Sequence, residues 1–480
     1  MRLSAATIDR LPASVARFDY DRLRQRIGIV HLGIGAFARA HQAVFTDAAM
    51  SAGDRDWGII GASLRSPAVR DALAPQDGLY TVTETGAGGA ASRLIGSVRD
   101  VIVASAATDD LHRALVSPDV AIVTMTVTEK GYHRRADGSL DLAAVERSGV
   151  TLYHHLARAF AARRDAGIGG LTLLCCDNLA DNGGALSASL GAWLDHVDPA
   201  LGSWFARECV CPSTMVDRIV PAVTPADLDR VAAMLGVRDE AAILTEPFAQ
   251  WVIEDRFAGR RPRWDAVGAQ IVADVAPYET AKLRMLNGAH SALAYLGLRA
   301  GLTYVHEAIG DRVIGASVER LMRDEAAASI DPAPEQDLTA YADALLARFA
   351  NPALRHGLRQ IAGDGSQKIP QRWLASLDAN RARGRSCPET LKALAAWLLY
   401  VRGDDGHVDD PRAADLSAAW ASAGRDGIVD AVLGERGLLA GSWCPDPADR
   451  AALADTLTAF DKKYPATNDN RRKNREGEQA

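Results

Sequence analysis

Two stretches of this chain, "DVAIVTMTV" (119–127) and "GLTLLCCDN" (170–178), are continuous apolar runs of strand length. A strand apolar at nearly every position has no face to give to water and must be covered on both sides. That is the condition of a parallel sheet with helices on its two faces. Two further strand candidates, "GIVHLG" (28–33) and "WGIIGASL" (57–64), come earlier. Between them and the long runs, "LYTVTETG" and "SRLIGSV" read as a shorter paired insertion. The alternation of strand and helix patterns predicts an α/β domain with a doubly wound sheet over residues 1–274.

After about residue 275 the pattern changes. Alanine-rich helical periodicity recurs at 279–300, 311–328, 337–350, 388–403 and 448–462. This predicts a mainly α-helical second domain over 275–464. The tail 465–480, "PATNDNRRKNREGEQA", is polar and aperiodic and reads as disordered.

Composition excludes several partners. The chain has 480 residues and a net charge of −7, which argues against nucleic acid and anionic membranes but leaves room for a small anionic substrate. No apolar run reaches ~18 residues and the N-terminus lacks an apolar leader core, so a cytoplasmic protein is expected, as a monomer or weak oligomer. None of the 6 cysteines forms a CxxC pair. Cys209 and Cys211 lack a matching second pair, so no metal site is predicted and the cysteines read as buried free thiols.

The first strand runs into Gly33-Ile34-Gly35-Ala36-Phe37-Ala38, a GxGxxA pattern that opens a helix. Gly33 suits the tight turn, Gly35 lets backbone approach a pyrophosphate, and Ala38 lets the helix sit close to the sheet. The helix N-terminus is expected to face the phosphates. With this loop the first domain reads as a Rossmann-like dinucleotide-binding unit. The second strand ends in "SLRSPAVRD", so Arg65 stands near the usual place of a ribose-binding acid. NAD is the expected cofactor and NADP stays open.

In "ETAKLRMLNGAHSALAYLG" (279–297), Lys282, Asn287 and His290 interrupt an apolar helical pattern. At about 100° per residue, Asn287 lies about 140° and His290 about 80° from Lys282. The three share one arc beside the apolar stripe. Spacing alone leaves two readings open: a cleft lining, or a solvated lysine near a hydrogen-bonded core histidine.

The segment "KLRMLNGAHSALAYLG" resembles the polyol-specific long-chain dehydrogenases, the mannitol dehydrogenase and fructuronate reductase family, whose K-x4-N-x2-H pattern falls here on Lys282, Asn287 and His290. "VHLGIGAFARAHQA", "TVTEKGY" (126–132), "CCDNLADNG" (175–183), "PSTMVDRIVP" (212–221), "TEPFAQWVIED" (245–255) and "DGSQKIPQR" (364–372) follow in the family's order. The resemblance implies a metal-independent alcohol oxidation or ketone reduction with Lys282 as general base. It implies Asn287 and Asn178 as donors to the reacting oxygen, and His290 as a contact to a substrate hydroxyl. Lys368 matches a lysine of the substrate pocket, and Asp217 and Glu279 match acids that hold water or relay the proton. A lysine at its free pKa of about 10.4 is a poor base near neutrality, so the role requires a desolvated cleft.

Two departures bear on substrate. Ala38 replaces a histidine in the family's "FHRAHQ" loop, which leaves both phosphate glycines intact. Gln360 stands where mannitol-type members carry arginine. A substrate carboxylate needs a cation, for which Arg284, Lys368 and Arg372 are candidates. The expected substrate is therefore a sugar acid, fructuronate reduced to mannonate. A hexitol or pentitol is the runner-up, and a catalytically silent nucleotide-binding regulator is a remote third reading.

Overall fold

Five parallel strands carry the first part of the chain: β1 (Ile27–Leu32), β2 (Gly58–Ser63), β3 (Val98–Val103), β4 (Ile122–Met125) and β5 (Thr172–Cys175). Their order in the sheet is β3-β2-β1-β4-β5, and every neighbouring pair is parallel. The chain winds outward from β1 on one side and from β4 on the other, so a crevice opens at their C-terminal ends. The structure is a computed structural model in which residues 1–463 are described, except 87, 106, 136, 404 and 405. It divides into two units, the first being Met1–Val275 and the second beginning at Ala276. The expected tail, 465–480, lies outside the described residues.

The apolar runs are buried on both faces. On β4, Val123 and Met125 join one core cluster and Ile122 the other; on β5, Leu173 and Cys175 part from Leu174 in the same way. Helices Leu152–Asp165 and Asn182–Val197 supply one cover, and helix Gln42–Ser51 belongs to the other. β3 was not among the expected strands. It begins Val98-Arg99-Asp100, and those charges at the edge of the sheet break the apolar run that marks β4 and β5. The expected insertion is present as an antiparallel pair, Tyr80–Gly86 with Gly89–Ile95, joined in parallel by Ile243–Thr245. A second small sheet, Thr214–Asp217, Gln250–Glu254 and Gln270–Val272, was unforeseen because its strands are too short to show a period.

β1 and β4 are also joined by side chains. The fully buried His31 ring bridges Thr124 Oγ1 (2.6 Å, at Nδ1) and Thr126 Oγ1 (3.1 Å, at Nε2). Thr126 Oγ1 donates to Gly33 O at 2.8 Å, so it must accept from Nε2–H, and Nδ1 accepts from Thr124. Burial pushes the His31 pKa down to about 4, which keeps the ring neutral in this role.

In the second unit the expected helices appear as Ala276–Ala281 continuing to Arg299, Arg312–Arg320, Leu338–Phe349, Pro388–Val401 and Pro447–Lys463. Helices Gly288–Arg299 and Pro388–Val401 are buried almost all round and form the centre of one large core. Among the described residues, no helix is long and apolar enough to cross a membrane. All 6 cysteines are free; Cys444 is partly exposed, contrary to the expectation that every one is buried.

The helix after the glycine loop is anchored by Asp47. Its Oδ1 accepts from Tyr20 Oη (2.6 Å), Gly96 N (2.8 Å) and Ser97 N (3.1 Å), and burial raises its pKa from 3.8 to about 6. The native state then holds a proton that the unfolded chain releases between about pH 4 and 6, so this group's stabilisation is lost as pH rises through that window. Asp47→Asn, which mimics the protonated side chain, should remove a slope on the order of 2–3 kcal/mol from the difference between the two proteins. Urea midpoints from pH 4 to 7.5 check this; parallel curves would reject the assignment.

Candidate active site

Gly33 takes φ +90°, and a Cβ there would lie 2.1 Å from Thr126 O. Only glycine fits. Gly35 is different: its φ is −77°, and a Cβ would meet no neighbour nearer than Gly33 O at 3.8 Å. Nothing in the protein demands glycine there, so the open room is available to a ligand, as a pyrophosphate lying against the backbone requires. Ala38 is 1% exposed and lets the helix sit down on the sheet. Ile34 is buried and packs against Gly61, so it can offer a ligand only backbone.

The glycine pattern opens a helix, as expected, but a short one. Ala36–Ala40 is 5 residues long and ends at His41, after which Gln42–Ser51 begins. His41 Nε2 bonds to Gln250 O at 2.8 Å, and its ring stacks on Phe37 with centroids 5.1 Å apart. So short a helix has little macrodipole, which leaves the backbone N–H groups of the loop as the better feature for an anion.

Beside this loop a cleft of about 380 Å³ opens at the ends of β1, β2 and β4, lined by Gly33, Ser63, Arg65, Thr126, Thr128 and Lys130 among others. The backbone of Val127 and Thr128, which lines this cleft, is held by Asp177, just past β5. Its carboxylate accepts from Val127 N (2.9 Å), Thr128 N (3.1 Å) and Tyr132 Oη (2.7 Å). Thr128 sits at φ +67°, ψ 156°, a region costing a non-glycine residue roughly 1–3 kcal/mol. Asp177 holds that strained residue in place. The sequence offered "TEKGY" and "CDN" as motifs but no sign that one anchors the other. Glycine turn, open Gly35 and cleft together fit a dinucleotide.

In the second unit, Lys282–Asn287 is a π-helical segment set between Ala276–Ala281 and Gly288–Arg299. The α-helical projection from the sequence therefore fails here. With i→i+5 bonding, residues five apart lie over one another, so Lys282 and Asn287 share a face instead of standing about 140° apart. The carbonyls at the end of this turn find outside donors: Arg372 Nη1 reaches Asn287 O at 3.2 Å and Ser291 Oγ at 2.8 Å, and Trp373 Nε1 reaches Gly288 O at 3.1 Å. Arg372 is thus a brace for this turn, and burial lowers its pKa to about 10.

Lys282 and Asn287 are half-buried and His290 is buried. The His290 ring packs on Phe349 (4.7 Å) and edge-on to His356 (5.3 Å), and its buried Nε2 has no hydrogen-bond partner. Burial first, then the charges of His356, Arg348 and Arg372, hold its pKa well below the ordinary histidine value. A neutral imidazole with an orphan nitrogen suits a ligand hydroxyl.

The other expected site residues divide. Lys368 Nζ donates to Gly363 O at 2.5 Å, and burial lowers its pKa. Arg284 is tied to Ser329, by Nη1 to O at 2.7 Å and to Oγ at 3.0 Å, and has a structural task. Gln360 is exposed on the helix Leu358–Ala362, and Glu279 is half-buried one turn before Lys282. In the first unit, Asp217 is 5% exposed at the end of its strand, and Asn178 is exposed just past β5. Among the described residues no group of three or more His, Cys, Asp or Glu could hold a metal ion.

Residues 27–266 match the mannitol dehydrogenase Rossmann domain, and residues 274–441 the mannitol dehydrogenase C-terminal domain. The chain is 39% identical to D-mannonate oxidoreductase of Escherichia coli, over 94% of this chain and 95% of that protein. It is 38% identical to mannitol 2-dehydrogenase of Pyrenophora tritici-repentis, over 83% of this chain and 74% of that one. Among solved structures, the ternary complex of Pseudomonas fluorescens mannitol 2-dehydrogenase with NAD and D-mannitol superposes with a TM-score of 0.82 at 33% identity, covering 96% of this chain and 97% of that one.

The two loop glycines should respond differently to substitution. Gly35→Val should leave the melting temperature within about 2 °C and raise the dinucleotide Kd at least ~10-fold, about 1.4 kcal/mol. Gly33→Ala should lower stability by about 3 kcal/mol or more. Paired thermal melts and NADH fluorescence titrations measure both.

Proposed function

Because the chain belongs to the mannitol dehydrogenase family, whose members are oxidoreductases acting on CH–OH groups, we propose that it interconverts a sugar-acid ketone and its secondary alcohol with NAD(H), fructuronate and mannonate being the pair. The observation that carries the sugar-acid reading is the surroundings of His290. A neutral, orphaned imidazole nitrogen lies within the electrostatic reach of Arg348, Arg372 and His356, a setting that favours a substrate bearing both hydroxyls and a carboxylate. The NAD reading is supported by the open Gly35 and the cleft beside it, and by the NAD held in the Pseudomonas relative.

The bound nicotinamide accepts or donates the hydride. In the oxidising direction Lys282 takes the proton from the substrate hydroxyl; in reduction it returns that proton to the carbonyl oxygen. Asn287, stacked with Lys282 by the π-turn, donates to the same oxygen, and the resemblance adds Asn178 as a second donor. Both are neutral amides, so they stabilise developing negative charge without competing for the proton. His290 fixes a neighbouring hydroxyl through Nε2. The resemblance gives Glu279, one turn before Lys282, and Asp217 as acids that hold water or relay the proton.

A hexitol substrate is the second reading, favoured by the D-mannitol bound in the Pseudomonas relative.

Lys282→Ala should keep NADH binding and cut turnover by roughly two to four orders of magnitude. Wild-type oxidation should rise with pH as the base loses its proton, and the variant should lose that limb. A variant with most of the rate and the same profile would remove the lysine from the chemistry.

For the substrate, kcat/KM for fructuronate should exceed that for fructose by ~10-fold or more, and added salt should raise only the acid's KM. Gln360→Arg should shift preference toward the neutral sugar. Better turnover of fructose or mannitol by the wild type would transfer the assignment to the hexitol reading.

A further inference from the structure

The His290 ring meets two other rings that differ in kind. Phe349, at 4.7 Å, offers it no polar atom; His356 stands edge-on at 5.3 Å. Among the described residues this is the one contact between two histidine rings. His356 is half-buried, and its Nδ1 is enclosed without a hydrogen-bond partner, as His290 Nε2 is. Buried nitrogens are nearly always paired, because an unpaired one has lost its water and gained nothing in return. The two rings do not satisfy each other, since neither nitrogen has a partner in the protein. Two unpaired nitrogens on adjoining rings call for polar groups that folding does not supply.

The backbone keeps His356 in this place. The residue lies in the link between Leu338–Phe349 and Leu358–Ala362. Its carbonyl accepts from Val305 N at 3.0 Å, Leu358 N donates to Thr303 O at 2.9 Å, and Gly357 pairs with Tyr304 in an antiparallel bridge. Arg355, just before it, is exposed and donates from Nη2 to Tyr304 Oη at 2.9 Å, while His356 turns to His290. Burial lowers the His356 pKa, so the ring is neutral near pH 7. A neutral imidazole presents Nδ1 as donor or as acceptor according to its tautomer, and either suits a hydroxyl.

We propose that His356 is a second, specificity-determining contact of the substrate: its Nδ1 bonds a hydroxyl other than the reacting one and other than the one at His290 Nε2. The proposal rests on the reading of His290 as a substrate contact. It adds a residue and a substrate position which that reading does not require. The two imidazoles together inspect two positions of the sugar chain, so the configuration at both decides which substrate fits.

The test pairs variants of His356 and His290 with monodeoxy analogues of mannonate in the oxidising direction. Thermal melts and the NADH Kd check that each variant is folded. For one analogue, wild-type kcat/KM should fall ~10-fold or more relative to mannonate, chiefly through KM, because its missing hydroxyl leaves His356 unpaired. His356→Ala should lose about as much with mannonate and nothing further with that analogue, yet show its full loss with the others. His356→Asn, whose amide nitrogen can stand near the place of Nδ1, should restore most of the rate; His356→Gln, which reaches the place of Nε2, should not. An equal loss against every analogue, as packing or a trapped water would give, overturns the proposal. So do wild-type kinetics in His356→Ala, and so does equal rescue by Gln and Asn. Pairing of His290→Ala with its own analogue, but none for His356, sinks this proposal alone; no pairing for His290 sinks the reading beneath it as well. If a hexitol is turned over and mannonate is not, the sugar-acid reading fails, and the same cycle on deoxyhexitols decides the role of His356.

Discussion

The contact between Gly33 and the carbonyl of Thr126 decides how the first unit ends. A side chain at Gly33 would collide with that carbonyl at 2.1 Å. Its absence lets the end of β1 close against the end of β4, and the other pieces follow from this closeness. Thr126 can give its hydroxyl proton to Gly33 O, His31 can span Thr124 and Thr126, and the chain beyond Thr126 can fall under the carboxylate of Asp177. Three strand ends become one rigid rim. The strain at Thr128 is affordable only because Asp177 takes the amides of Val127 and Thr128 together. Ligand-facing loops are ordinarily the mobile part of such a sheet; here the wall of the cleft is held by hydrogen bonds to the Asp177 carboxylate.

The second unit solves a different problem. The helix that carries Lys282, Asn287 and His290 runs through the middle of a large apolar core and cannot turn to present them. A π-turn changes the angular spacing over a few residues and leaves the helix axis where packing wants it. The change leaves carbonyls without helical donors, and a buried unpaired carbonyl costs about 1–3 kcal/mol. Arg372 and Trp373 supply those bonds from a neighbouring π-helical segment, Pro370–Leu374. Arg372 therefore supports the turn that carries Lys282 and Asn287 through the backbone.

Charge is distributed in keeping with this. The chain is acidic overall, and several exposed arginines meet an aspartate or glutamate, as Arg113 meets Asp110 and Arg158 meets Asp109. Cationic side chains gather at the cleft, with Arg65 and Lys130, and around His290, whose pKa is lowered in part by Arg348 and Arg372. Both lie where the residues also leave room or an orphan polar atom for a ligand.

Much of this was legible in the residues. Continuous apolar runs announced β4 and β5 because a strand buried on two faces cannot hide its composition, and the glycine pattern announced the turn after β1 because φ +90° excludes other residues. The K-x4-N-x2-H spacing named three residues of one helix. Local sequence could not show that this helix is π-wound at Lys282, since i→i+5 and i→i+4 bonding use the same residues and are separated only by what packs against them. Nor could it assign Arg372 to Asn287 and Arg284 to Ser329, or give Asp177 the loop that begins at Val127. Each of those pairs is distant in sequence, and an arginine or aspartate carries no mark of which partner it will meet. Composition and short-range pattern determined which segments are strands, helices and turns, because those depend on neighbours along the chain. Tertiary structure alone decided which charged side chains brace the backbone and which are left for a ligand, because that depends on where folding brings distant groups together and on whether water is excluded there.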